Sequence, residues 1–234
     1  MLDDELVKKN PLRRLDSQQQ GLLPSGNLGL VVAPAGTGKT AFLVQLALDN
    51  LLRGEAVLHL SVAGKLQRIR SWYKELLLQL AGGQATVGLR RVEASMQSRQ
   101  LIITFRKPAG LAARLSERLQ QLDAQDIFQP TVVVVDGLGS GGELPGLLGQ
   151  LAGIAAERNL SLWASLRQEA ARPRNELPAE LLAACAVVVY LEAAGPAVKL
   201  HLAKAPDLPS PPPPLLLDPQ TLLLQQPPAS PSRQ

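Results

Sequence analysis

Eight residues constrain this chain more than any others. Ala33-Pro34-Ala35-Gly36-Thr37-Gly38-Lys39-Thr40 follow an apolar run at 28–32 and open a helical pattern at about 39–53. Gly36 and Gly38 let the backbone turn its N–H groups inward around a chain of phosphates, and the helix N-terminus adds its positive end. Lys39 is spaced to reach the β and γ phosphates, and Thr40 to place a hydroxyl on Mg²⁺. The first position of the G-x-x-x-x-G-K-[ST] pattern is Ala33 here, one small residue in place of another. A glycine turn that only capped a helix would need neither Lys39 nor Thr40. The candidate phosphate-binding segment is therefore 33–41, with Ala41 continuing the helix. Such a loop works only between a strand and a helix, so the expected fold class is α/β.

A site of this kind also needs a carboxylate at the end of a neighbouring strand, to orient the metal through its water shell. Asp136 follows the apolar, β-branched run 131–135, whose composition suits a central parallel strand covered on both faces. An Asp-Gly pair also ends many strands in a plain turn, and the sequence alone leaves both readings open. Around these two points strand and helix patterns alternate. A strand at 56–60 completes a βαβ unit. A helix near 65–81 carries Leu66, Ile69, Tyr73, Leu76, Leu77 and Leu80 on one stripe. Further strands are expected at 101–105, 160–166, 184–191 and 197–202, and helices across 111–122 and 144–158. The expected architecture is a mainly parallel central sheet with helices on both faces and a small C-terminal β extension, the 160–166 strand lying between those of the loop and of Asp136.

Four segments follow from composition. Residues 1–27, polar, rich in Gln and carrying Lys8, Lys9, Arg13 and Arg14, read as an N-terminal lead-in, and 28–205 as the phosphate-binding domain. Ten of the 19 prolines stand at Pro206 or later, which separates a Pro-rich stretch from what precedes it. Within it, 215–224 reads as two short strands around a turn at Asp218-Pro219-Gln220-Thr221, so 206–226 is expected to close the same domain. Residues 227–234 are expected to be a disordered tail.

With 46% hydrophobic but only 3% aromatic residues, the interior must be built from Leu, Val and Ala. A net charge of +4 is mild and identifies no partner. One cysteine, Cys185, forms no internal disulfide, and no apolar run reaches the 18 residues of a membrane span. The first residues lack the basic and apolar regions of a signal peptide, so a cytoplasmic protein without membrane contact is expected. His59 and His201 each lie on a strand without a ligand set, which favours core or edge histidines over a metal site. Trp72 and Tyr73 adjoin the apolar stripe and read as core, with a partner patch as the alternative. Cys185 reads as buried and inert.

With loop and carboxylate placed, 23–224 resembles the RecA-like P-loop ATPases, and within them the group of replicative helicases (DnaB), RadA and KaiC. Leu23-Pro-Ser-Gly-Asn-Leu, Gly38-Lys-Thr-Ala-Phe-Leu and Gly54-Glu-Ala-Val-Leu-His-Leu-Ser61 are similar to that group around its first two strands. The resemblance implies ATP and Mg²⁺ as ligands. It implies that Ser165-Leu-Arg-Gln168 holds the polar residue that senses the γ-phosphate, with Gln168 the matching position. It also places Lys204, in Leu200-His-Leu-Ala-Lys204, where a basic residue reaches the nucleotide of a neighbouring subunit in a ring or filament. Two departures stand out. Ser61-Val62-Ala63 replaces a Ser-Leu-Glu whose Glu polarises water, leaving Glu143 as the substitute candidate. Ala205-Pro206 replaces an Arg and Gly-rich loop. The loop of Arg167, Arg172 and Arg174 occupies a position that can touch single-stranded DNA, although no aromatic residues interleave it. The functional expectation is Mg-ATP binding with slow or regulated hydrolysis. The alternatives are a nucleotide-switched scaffold for a protein partner, and a DNA recombination, repair or replication accessory that binds single-stranded DNA.

Overall fold

The computed structural model describes residues 2–16, 21–139, 143–168, 177–195, 197–205 and 215–225. The N-terminal part runs α1 (Leu2–Lys9), a 3-10 turn (Pro11–Arg14), β1 (Asn27–Ala33), α2 (Lys39–Leu52), β2 (Val57–Val62), α3 (Leu66–Leu80), α4 (Val87–Gln97) and β3 (Gln100–Phe105). It continues through α5 (Leu111–Gln125), β4 (Val132–Leu138), α6 (Leu144–Arg158), β5 (Ser161–Arg167), α7 (Ala179–Ala184) and β6 (Val187–Ala194). Last come β7 (Ala197–Lys204), β8 (Leu215–Leu217) and β9 (Leu224–Gln225). These strands form one sheet in the order β3-β2-β4-β5-β1-β6-β7-β8-β9. From β3 to β6 neighbours run parallel, and from β6 to β9 antiparallel. The fold is α/β with helices on both faces, and β5 lies between β1 and β4.

Strand alternation divides the core in two. Val132 and Val134 of β4 face α1 to α4, while Val133 and Val135 face α5 to α7. Trp163, the largest fully buried side chain, lies on the first face against Gly29 of the neighbouring β1. A Cβ on Gly29 would come within 2.5 Å of the indole, which explains a glycine in mid-strand.

The structure adds elements that the sequence patterns did not show. Residues read as a polar lead-in form α1, whose Asp3, Asp4 and Glu5 in the first turn and Lys8 and Lys9 in the last complement the helix dipole. Leu6, Leu12 and Leu15 of this segment are buried. Helix α4 starts at a Thr86 cap, whose Oγ1 accepts from the Leu89 N–H at 3.1 Å. The strand expected from residue 184 begins at Val187, because Ala179–Ala184 is helical. The C-terminal hairpin is present as β8 and β9, and the Asp218 carboxylate holds its turn by accepting from the N–H groups of Gln220 and Thr221. The runs at 206–214 and 227–234, with the expectations for them, lie outside the described residues.

One buried ionic cluster ties the N-terminal segment to α2. Asp49 accepts from Asn10 Nδ2 at 2.9 Å, pairs with Arg13, and lies 3.2 Å from Arg53 Nε. Arg13 also meets Asp16 at 2.9 Å. Burial raises the pKa of Asp49 despite both arginines, so desolvation outweighs their attraction. Deleting the carboxylate is nonetheless unfavourable, since Arg13 and Arg53, both mostly buried, would lose the acceptor they share. Asp49→Ala is expected to lower stability by about 3 kcal/mol, or roughly 6 to 12 °C in Tm at this size. A thermal melt with an unchanged midpoint would show that this anchor contributes nothing.

Candidate nucleotide site

The segment between β1 and α2 has the backbone of a phosphate cradle. Gly36 and Gly38 take positive φ values of 78° and 88°, the left-handed region glycine adopts freely. Gly38 has a second reason: a Cβ there would collide with the Leu217 side chain from β8. Thr37 Oγ1 donates to the Pro34 carbonyl at 2.8 Å and braces the loop. Lys39 Nζ donates to the carbonyls of Ala33 at 2.9 Å and Pro34 at 2.5 Å. Burial lowers the Lys39 pKa, the charge of Arg167 lowers it further, and Asp136 opposes both.

Asp136 is almost buried, and both carboxylate oxygens are engaged. Thr40 Oγ1 donates to Oδ2 at 2.7 Å, and Ser165 Oγ donates to Oδ1 at 2.6 Å. Ser165 Oγ in turn accepts from the Gly137 N–H at 2.9 Å. The Asp-Gly pair is not a strand-ending turn, because β4 continues to Leu138 with an irregularity in its pairing after Val135. Gly137, at φ 101°, would bring a Cβ within 2.8 Å of the Val62 carbonyl oxygen.

These groups open into a cleft of about 870 Å³. Its wall carries Lys39, Lys65, Arg68 and Arg167 against two carboxylates, Asp136 and Asp218. Asp218 is committed to its turn, where the Thr221 N–H leads the contacts that hold its carboxyl below the usual range. Among the described residues no group of three or more His, Cys, Asp or Glu could hold a metal ion by itself. A hydroxyl and one carboxylate suit Mg²⁺, which binds through few protein oxygens and shares the ligand's phosphates.

A family model described as an AAA domain matches residues 2–141, a stretch that includes both the glycine loop and Asp136. The chain belongs to this AAA-domain family. Among solved structures, the ATPase domain of a DnaB-like helicase is similar, with a TM-score of 0.62 at 14% identity over 88% of this chain and 86% of that one. The fold is that of the RecA-like P-loop ATPases. No curated protein matches the chain in sequence.

In this AAA domain the expected loop residues gather at the cleft: Ala35 to Ala41 line it, and Ala33 and Pro34 lend carbonyls to Lys39. Thr40 and Asp136, the two residues expected on a metal, are hydrogen-bonded to each other. Ser165 is an addition, since a lone serine in an apolar strand carries no signal. Gln168 is buried beside the loop, its N–H donating to the Ala33 carbonyl at 3.0 Å, while Arg167 lines the cleft. Glu143 is exposed at the start of α6 and does not line the cleft. Lys204 also lies off the wall, donating to the Leu182 carbonyl of its own chain at 2.7 Å. Arg172 and Arg174 fall outside the described residues.

The remaining singled-out groups take structural places. His59 is fully buried with Nδ1 2.9 Å from the Tyr73 hydroxyl, and burial pushes its pKa down to about 4, so it is neutral at physiological pH. His201 pairs with Glu192 across the β6–β7 hairpin, and burial pushes the Cys185 thiol up to about 12. Trp72 packs partly against the core and also reaches the cleft wall. Among the described residues no helix is long and apolar enough to cross a membrane.

A phosphate at Lys39 would be held by the charged form of its amine, so a lowered pKa would make such binding fall as pH rises. The affinity for ADP, titrated from about pH 8 to about pH 10, is expected to decline beginning below lysine's ordinary 10.5. A flat profile by calorimetry would remove Lys39 from the phosphate contacts.

Proposed function

We propose that this AAA domain binds Mg-ATP and hydrolyses it slowly. What supports the binding half is the convergence of three elements: the glycine loop with Lys39, Thr40 at the start of α2, and Asp136 from β4, joined by hydrogen bonds of 2.7 and 2.6 Å through Thr40 and Ser165. The polyanion would meet four cationic side chains in the cleft wall, with Lys39 exchanging loop carbonyls for phosphate oxygens. Mg²⁺ would be held by Thr40 and Asp136 and would supply charge neutralisation on the phosphates.

The slow half rests on what lines the cleft. Ala63 stands there with φ 59°, where the resemblance calls for a carboxylate that polarises water. Asp136 has both oxygens occupied and Asp218 is tied into its turn, so no described carboxylate of the wall is free to act as a base. A positioned base typically contributes about 10² to 10⁴ in rate, and turnover is expected to be slower by that order than in a site that has one.

A second reading, a nucleotide-switched scaffold, draws on the C-terminal hairpin. Gln45, buried on α2, donates to the Leu222 carbonyl at 2.6 Å and accepts from the Leu224 N–H at 3.0 Å. With Leu217 against Gly38, the hairpin is joined to both the loop and the helix behind it. A shift of the loop on binding would be felt there.

Mg-ATP at a hundred times its Kd should add about 2.7 kcal/mol, or roughly 5 to 11 °C in Tm. The shift is expected in wild type and not in Lys39→Ala, with phosphate release in the same samples slow. Absence of a shift at saturating Mg-ATP and Mg-ADP would end the proposal. Fast release abolished by Lys39→Ala would overturn its slow half, and a shift with no release at all would favour the scaffold.

A further inference from the structure

We infer that Ser165 is a positioning residue for the divalent metal of this cleft: it aims the Asp136 carboxylate, and through that carboxylate it sets how tightly Mg²⁺ is held. The inference rests on the proposed function and deepens it. Ser165 stands out on β5 because its neighbours Leu162, Trp163, Ala164 and Leu166 are all apolar and buried. Ser165 itself is 0% exposed. A hydroxyl in such a place is unfavourable unless it is hydrogen-bonded, and packing alone would be served by alanine.

Its partners lie on β4, at the irregular place in the β4–β5 ladder. The two strands pair regularly as far as Val135 and Ala164, and the register shifts before Leu138 meets Leu166. The residues in that gap are Asp136 and Gly137. By strand alternation Ser165 falls on the face of Trp163, and Asp136 on the face of Val132 and Val134, which is the same side of the sheet. There the Gly137 N–H donates to Ser165 Oγ at 2.9 Å, and Ser165 Oγ donates to Asp136 Oδ1 at 2.6 Å. A hydroxyl has one proton, so the Gly137 contact, which uses a lone pair, leaves that proton directed at Asp136. On the other side, β1 holds the serine backbone through its pairing with Val31.

A carboxylate turns about its single bond unless something holds it. Asp136 Oδ2 meets Thr40 Oγ1 at 2.7 Å, but on the proposed function Thr40 is a ligand of the metal in its own right. Among the described residues that leaves Ser165 as the donor to Asp136 whose place is independent of the metal. A serine on a central strand has one side-chain torsion and a backbone flanked on both sides, so the aim it gives is rigid. Groups that hydrogen-bond a metal ligand typically contribute about 10- to 100-fold in metal affinity. The glycine loop and Lys39 would hold the phosphates without Ser165, so its removal separates metal binding from nucleotide binding.

The test measures the two ligands apart on wild type, Ser165→Ala and Ser165→Thr: ADP by calorimetry in EDTA, and Mn²⁺ on the ADP-loaded protein by loss of the free-ion electron paramagnetic resonance signal. Ser165→Ala is expected to weaken Mn²⁺ about 10- to 100-fold while ADP in EDTA stays within about twofold. Ser165→Thr, which keeps the hydroxyl, should recover most of the metal affinity. Ser165→Cys, close in size but with only a weak S–H donor, should lose metal in the same direction, and it carries the test if Ser165→Ala does not fold. Mn²⁺ affinity unchanged in the alanine and cysteine variants, or metal and nucleotide weakened alike, would overturn the inference and leave nucleotide binding standing. A wild type that binds ADP but no Mn²⁺ would overturn the metal half of the proposed function, and one that binds no ADP the whole of it.

Discussion

The carboxylate of Asp136 is the point at which this structure is tied together. It accepts from Thr40 at the start of α2 and from Ser165 on β5, and it belongs to β4, so one buried side chain fixes the relative positions of three elements. Carboxylates rarely go into a protein interior unless their oxygens are satisfied, and here each oxygen has one hydroxyl donor. The histidine beneath does not neutralise it: burial holds His59 in its neutral form, and its Nδ1 is directed to Tyr73. The cleft thus keeps one negative charge at a defined place amid cations, as a bridging divalent ion and a polyphosphate would require.

Around that point the molecule is fastened at both ends to α2. At the N-terminal end, Asn10 and Arg13 meet Asp49 in a buried cluster that ties the N-terminal segment to α2. At the C-terminal end, the Gln45 amide imitates a peptide group and pairs with the backbone of the last hairpin, where Leu222 is held at φ 59°. Both fastenings converge on the helix that the glycine loop opens.

Much of this was legible in the residues because the strongest signals are local. The glycine loop, Lys39 and Thr40 demand a strand before and a helix after, and the β-branched run before Asp136 demands a covered parallel strand; both are where the patterns put them. Helix α1 was hidden because its apolar residues are few and set among Asp, Glu and Lys, so burial of Leu6 shows only when α2 is beside it. The start of β6 is not legible because Ala184 and Cys185 are as apolar as the strand that follows, and hydropathy does not separate the end of a short helix from the start of a strand. The site was less legible than the fold. Matching Ser165-Leu166-Arg167-Gln168 to a family pattern selects Gln168 for its polarity, whereas the pleat places Arg167 in the cleft and turns Gln168 into the protein. Position along a strand end is a matter of parity, and one residue of offset exchanges a cleft side chain for a buried one.

The composition of the cleft separates binding from turnover. On the proposed function, Lys39, Lys65, Arg68 and Arg167 would attract a polyphosphate in its ground state as much as later in the reaction, and uniform attraction of that kind strengthens binding without accelerating chemistry. Acceleration needs a group that acts only as the water attacks, and the wall position nearest in sequence to that role is Ala63, which has no donor or acceptor beyond its backbone. Its N–H is already given to the Phe105 carbonyl at 2.6 Å, which fixes the β2–α3 loop against the end of β3. On the proposed function, cleavage is slow, and the nucleotide-bound form would be long-lived. Such a long-lived form is what the switch reading requires, and Gln45 is the side chain that joins α2 to the C-terminal hairpin.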